Sequence, residues 1–142
     1  MKPLNLAAHA PRKPSVRLAG VIFLARTVDK IRASLPGGDL GAYKVDGFST
    51  RTLKHLGITA DELRDVVAKA PTEADVEHFI LEHSTQEQRD AANADNEKRT
   101  VGQYMVELEG FADRYPIVKE LPPETTILEM LERDDQLLFA RS

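Results

Sequence analysis

The sequence of 142 residues contains no cysteine and no tryptophan, and it has only three tyrosines and five phenylalanines. Without cysteine the chain has no disulfide framework, no thiolate metal site and no cysteine nucleophile. Few aromatic residues mean that the core must be built from Leu, Ile, Val and Ala. The amino-terminal residues also lack the charged-then-apolar pattern of a signal peptide.

A long apolar run is missing as well. The longest, residues 18–25, contains Gly20 and is far too short to cross a bilayer. These absences predict a cytoplasmic protein with no membrane partner. Hydrophobic residues make up 42% and charged residues 30% of the chain, which is typical of a globular protein rather than a disordered one.

The length suits one domain of ordinary size. Residues 1–14 contain three prolines and no periodicity, which predicts an extended N-terminal arm. We expect residues 15–142 to form a single helical domain. Apolar residues recur at helical spacing and no run alternates with a period of two, so the predicted class is all-α, with five to six helices in one compact domain.

The predicted helices are separated by Gly, Pro and capping residues. Ser15 is expected to cap a first helix, Val16 to Leu35, and a short irregular or extended segment follows near 40–47. Ser49 is expected to cap the next helix, which extends to about Leu56 and ends at Gly57.

The later helices begin at recognisable caps. Thr59 and Glu62 form a capping box. A strong apolar stripe predicts one helix over residues 101–115, and a last helix opens at Thr125 or Thr126. The tail, residues 137–139, is expected to dock back onto the body.

The charged residues of the first predicted helix are the main candidates for function. Asp29 and Arg32 fall inside the apolar arc, and Arg26 lies at its edge. Both arginines are three residues from Asp29, so two guanidiniums are expected to bracket one carboxylate. The set, with Lys30, is interpreted either as a buried ion cluster that fixes the 40–47 loop or as an anion-binding pocket that includes Tyr43.

Several short segments in order resemble the bacterial family known as domain of unknown function 5069. The resemblance covers about residues 11–82 and supplies no activity. The segments are Leu18-Ala-Gly20, Arg26-x-x-Asp29-Lys30-x-Arg32, Leu40-Gly41-x-Tyr43 and Leu53-x-x-Leu56-Gly57-Ile58.

Other functions remain open at this point. A small enzyme would use the same pocket on an anionic substrate, with His55 or Tyr43 as the proton carrier. A protein–protein module would instead use the apolar face of residues 101–115 or the polar segment 86–99. The oligomeric state is left open, but a binding or regulatory module that takes an anionic small molecule or acidic peptide is preferred.

Metal, cofactor and nucleic-acid partners are not expected. His78 and Glu82 share one helix face, but His83 projects elsewhere, so the three cannot readily meet one ion. Residues 1–35 contain seven Lys or Arg and one acid, whereas the remainder contains twelve bases and twenty-two acids. Because the bases are scattered without interleaved aromatics, this asymmetry does not predict a nucleic-acid surface.

Overall fold

The computed structural model describes residues 1–140, which contain eight α-helices and one 3₁₀ helix. In this range there is no β-strand, and backbone pairing outside the helices is limited to isolated bridges. The all-α prediction is therefore confirmed. The predicted count of five to six helices is wrong, mainly because the segment 101–120 is broken into short pieces.

The chain divides into two compact units, residues 1–93 and 94–142. The first unit contains four helices and most of a fifth, which continues into the second unit. They are α1 (Leu24–Ala33), α2 (Phe48–Leu56), α3 (Ala60–Lys69), α4 (Glu73–His83) and α5 (Gln86–Lys98). The remaining elements are α6 (Val101–Glu107), α7 (Phe111–Arg114), a 3₁₀ helix (Pro116–Glu120) and α8 (Ile127–Phe139).

The first helix begins at Leu24 rather than at Val16, and Ser15 does not cap it. Residues 18–23 form a tight turn, in which Ala19 and Phe23 have φ angles of 53° and 70°. These left-handed conformations cannot be part of a right-handed helix. The apolar side chains of the turn are buried all the same, so hydrophobic spacing could not distinguish the turn from a helix.

Polar side chains from later helices hold this turn in place. The backbone N–H of Ile22 donates to Oδ1 of Asn93 at 2.9 Å, and Nδ2 of Asn93 donates to the Gly20 carbonyl at 2.9 Å. The N–H of Ala19 donates to Glu77 at 2.9 Å. The turn thus satisfies its backbone groups with side chains that lie far away in the sequence.

The N-terminal arm packs against the first unit. The side chain of Leu6 is fully buried, and its N–H donates to the Asp39 carbonyl at 2.7 Å. The Asp39 N–H donates to the Leu4 carbonyl at 3.0 Å. A Cβ on Gly41 would lie 2.8 Å from the Leu6 carbonyl oxygen, so the close approach of arm and loop requires glycine there. The domain boundary at residue 15 stays a prediction.

The core of the first unit is made from aliphatic residues, as expected from the composition. Thr59 and Glu62 form the predicted capping box at the start of α3. Gly57, with φ of 70°, ends α2 as predicted. The predicted cap at Ser49 is wrong: α2 begins at Phe48 after Gly47, and Ser49 lies inside the helix with its side chain buried. The segment 40–47 is irregular, as expected.

The second unit departs further from the prediction. The single helix expected over 101–115 is interrupted at Gly110, whose φ is 81°, and Tyr104 stacks on Phe111 across the break with ring centroids 5.3 Å apart. The tail expected to dock on the body is instead the last turn of α8, where Leu137 and Leu138 are 58% and 47% exposed. No helix within residues 1–140 is long and apolar enough to cross a membrane.

Candidate functional site

Asp29 takes its partner from the N-terminal arm, not from its own helix. It is 5% exposed, and its carboxylate accepts the backbone N–H of Arg12 at 2.8 Å. The Arg12 side chain donates to it through Nε at 3.1 Å and Nη2 at 3.0 Å. The expected bracketing of Asp29 by Arg26 and Arg32 is wrong. Arg12 comes from outside the helix and donates to the Asp29 carboxylate through two N–H groups of its planar side chain. Arg26 and Arg32, three residues away on the same helix, do not easily reach this geometry.

Arg12 also binds Glu73 at the start of α4. Its Nη1 donates to Glu73 Oε2 at 3.1 Å, Nη2 contacts the other carboxylate oxygen, and Nη2 also donates to the Ala25 carbonyl at 3.3 Å. Burial alone would lower the pKa of Arg12, but hydrogen bonds to Glu73 and Asp29 raise it above its ordinary value. Arg12 therefore stays charged and joins the arm, α1 and α4.

Arg26, Lys30 and Tyr43 are brought together, as the sequence suggested. The guanidinium carbon of Arg26 lies 5.5 Å from the centre of the Tyr43 ring, and Nζ of Lys30 lies 5.9 Å from it. Both distances are within the range of cation–π attraction. Arg26 is only 2% exposed, and its Nη1 donates to the Arg12 carbonyl at 3.3 Å. The pair of cations anchors the 40–47 loop to α1.

The other two predicted site residues lie elsewhere on the first unit. Arg32 donates from Nε to the Lys2 carbonyl at 2.8 Å and so fastens the beginning of the arm. His55 is half-buried in the last turn of α2, close to the Gly57 cap. A role for these residues in binding stays a prediction.

A cavity of about 320 Å³, which we call the loop cavity, lies beside the 40–47 loop. Helix α1 contributes Ile31 to its lining, and Ser34, the residue that follows the helix, also lines it. Helix α3 contributes Ala60, Asp61 and Arg64 from its first turns. Two helices that flank the loop thus supply two of the three walls.

The loop supplies the third wall through Leu40, Lys44 and Val45. Leu40 and Val45 are half-buried, whereas Lys44 is exposed. The residue before Lys44 is Tyr43, which carries the two stacked cations. The Tyr43 contacts therefore hold the same loop that forms the cavity wall.

Sequence reasoning missed this cavity. The only signal was an apolar residue at each end of the loop, Leu40 and Val45, with a lysine between them. Nothing in the sequence indicated that the first turn of α3 lies opposite. The sequence-based interpretation centred on Asp29 instead, because a charge inside the apolar arc of a helix is unusual. The structure shows that this carboxylate is paired with Arg12.

No group of three or more His, Asp or Glu side chains in residues 1–140 is arranged to hold a metal ion. His78 and Glu82 form an exposed i, i+4 pair, with Nε2 and Oε1 3.1 Å apart. Two side chains on one exposed helix face do not complete a metal coordination shell.

A comparison with curated proteins gives no match. A family model matches residues 8–116, which is most of the chain and includes the arm residue Arg12, the turn, the loop cavity and the Tyr43 cluster. The chain belongs to the family described as Domain of unknown function (DUF5069).

Proposed function

We propose that the protein is a cytoplasmic binding module for a small anionic ligand, and that the ligand occupies the loop cavity. The observation that carries the proposal is that two cationic side chains at the cavity have unused hydrogen-bond donors. Lys44 has no hydrogen bond or ion pair within residues 1–140, and Arg64 uses one donor, Nη2, on the Ser34 carbonyl at 2.9 Å. Both cations thus keep donors for a ligand.

The charges of the sequence-derived cluster differ in this respect. The carboxylate of Asp29 is fully used by Arg12, and Arg12 is shared with Glu73. A buried carboxylate whose hydrogen-bonding positions are already filled has little left to offer a ligand. Arg26, at 2% exposure, is also shielded from solvent. Geometry therefore favours the rim of the cavity over the buried ion cluster.

Local electrostatics also support an anion. Lys44, Arg64 and one carboxylate, Asp61, line the cavity, so cations outnumber anions there. Guanidinium groups bind carboxylates and phosphates through paired hydrogen bonds.

In this proposal the sequence-derived residues position the loop. Stacking of Arg26 and Lys30 on Tyr43 restrains the segment that carries Lys44 and Val45. Lys30 is half-buried, and its face of α1 is the second location at which ligand binding is to be tested. Arg32 and His55 are not required.

The test is a thermal-shift and calorimetric screen of the full chain against phosphate, succinate and hexanoate. A ligand at a hundred times its dissociation constant should add about 2.7 kcal/mol to the free energy of unfolding. We expect Lys44→Gln and Arg64→Gln each to weaken binding by about tenfold and so to reduce this stabilisation to about half. The matched control Lys69→Gln, on the exposed side of α3, should preserve it.

Two results would change the proposal. Loss of binding in Lys30→Gln alone would move the site to the Tyr43 face. A flat response to every anion, or an equal loss in the Lys69→Gln control, would overturn anion binding at the cavity.

A second candidate function is self-association through the second unit. Met105, Val106 and Leu108 are 44%, 87% and 47% exposed, so three apolar side chains within four residues are in contact with water. Exposed apolar groups of this kind are typical of protein–protein contacts when they cluster. Light scattering should show a dimer. Val106→Glu should convert it to a monomer, whereas the control Glu107→Gln should not. A monomer at all concentrations would exclude this function.

A further inference from the structure

We infer that the ligand of the loop cavity is a monocarboxylate with a short hydrocarbon chain, an inference that rests on the proposed function. Half of the residues that line the cavity are apolar. Ile31 is 1% exposed, and Leu40, Val45 and Ala60 are half-buried. A purely hydrophilic anion would leave the exposed parts of Leu40, Val45 and Ala60 in contact with water, whereas a hydrocarbon chain would cover them.

The charges at the rim select a single negative charge. Lys44 and Arg64 are opposed by Asp61, which has no ion pair within residues 1–140. One ligand carboxylate would balance the excess cation. A phosphate dianion would exceed it and would lie close to the Asp61 carboxylate, which like-charge repulsion disfavours. The planar fork of Arg64 also matches a planar carboxylate.

The volume of the cavity limits how much of the chain can be removed from water. At about 30 Å³ for each water-sized group, a cavity of about 320 Å³ holds about ten non-hydrogen atoms. That number corresponds to a carboxylate group with a chain of about eight carbon atoms in all. The volume also lies near the lower end of the range of small-molecule sites, which favours a small ligand over a nucleotide or a large cofactor.

The experiment is isothermal titration of the full chain with butanoate, hexanoate, octanoate and dodecanoate. Each methylene group buried in the cavity should tighten binding by about fourfold. Affinity should stop rising near octanoate because longer chains extend into solvent. Octanamide, which has the same chain without the charge, should bind at least about tenfold more weakly.

Matched variants locate the site. Arg64→Gln should weaken octanoate binding by about tenfold, Arg64→Lys should recover part of the loss, and Lys69→Gln should leave it unchanged. Ala60→Leu should move the preferred ligand toward hexanoate or butanoate, because the larger side chain occupies part of the cavity. A change in chain-length preference is a readout that general destabilisation would not produce.

The possible failures are distinguishable. If phosphate and succinate bind with dependence on Arg64 but the carboxylate series is flat, this inference is overturned and the proposed function stands. If no anion binds, both are overturned. Equal affinity for octanamide and octanoate would also overturn the inference, since the ligand would then be recognised only by its apolar part.

Discussion

At the scale of single residues, the burial of Asp29 explains why its carboxylate must be paired with a cation. A carboxylate that is 5% exposed needs a partner that fills its hydrogen-bonding positions, and Arg12 does so with its backbone and side chain. Removing that partner leaves a buried charge uncompensated, which costs more than the pair itself contributes.

We therefore expect Arg12→Met to lower the free energy of unfolding by about 2–4 kcal/mol in urea titrations. Because the pKa of Arg12 is raised above an ordinary value that is already high, the loss should not shrink as the pH rises through the neutral range. Adding Asp29→Asn to this variant should recover part of the loss, since it removes the uncompensated charge.

The control is Arg133→Met in α8. Arg133 and Glu129 form an i, i+4 pair with N and O 3.1 Å apart, but both side chains are 53% exposed. Exposed pairs of this kind contribute at most about 0.5 kcal/mol. Equal losses in the two variants would mean that Arg12 is not a buried structural partner of Asp29.

Backbone strain at Ala19 gives a prediction of opposite sign. Its φ of 53° is left-handed, a conformation that costs an L-residue with a Cβ about 1–2 kcal/mol. Ala19→Gly should raise the free energy of unfolding by up to about 1 kcal/mol, because glycine relieves the strain but loses more entropy on folding. Chemical denaturation measures the change.

The comparison variant is Ala68→Gly, at an exposed position inside α3. The same chemical change should destabilise there by about 1 kcal/mol, since the helical backbone gains nothing from glycine. A loss of stability in both variants would show that the turn at residue 19 carries no relievable strain.

At the scale of elements, the start of α1 depends on α5. Asn93 accepts the Ile22 N–H and donates to the Gly20 carbonyl, and Ile22 is buried. Asn93→Ala should cost about 2 kcal/mol, because it leaves a buried donor unsatisfied. Hydrogen exchange at the Ile22 amide should accelerate together with the loss of stability.

Asn93→Asp tests the same contact more finely. The carboxylate keeps an acceptor for Ile22 but has no donor for Gly20, so about half of the loss is expected. If Asn93→Ala leaves both stability and the exchange of Ile22 unchanged, the turn is held by its apolar side chains and not by the amide.

At the scale of the whole molecule, each unit has buried residues of its own. In the second unit Met130 is fully buried, whereas Val106 is 87% exposed. Met130→Ala should cost about 2–5 kcal/mol and should reduce amide protection across residues 94–140, because it opens a cavity in the core. Val106→Ala should change the free energy of unfolding and the amide protection little. Similar losses in the two variants would contradict this assignment of the core.

How much of the molecule follows from the sequence can be argued from a few positions. The helical class, the capping box at Thr59 and the end of α2 at Gly57 rest on short-range periodicity and capping chemistry. Such signals involve residues within about one turn of each other, so they can be read from one chain.

Only tertiary structure decided the rest. The break before Leu24, the choice of Arg12 as the partner of Asp29 and the meeting of Lys44 with Arg64 across the loop cavity depend on long-range contacts. The sequence determined which residues are apolar, charged or fit to cap a helix. Packing determined which charges were buried and satisfied and which kept free donors, because desolvation depends on neighbours that no local pattern specifies.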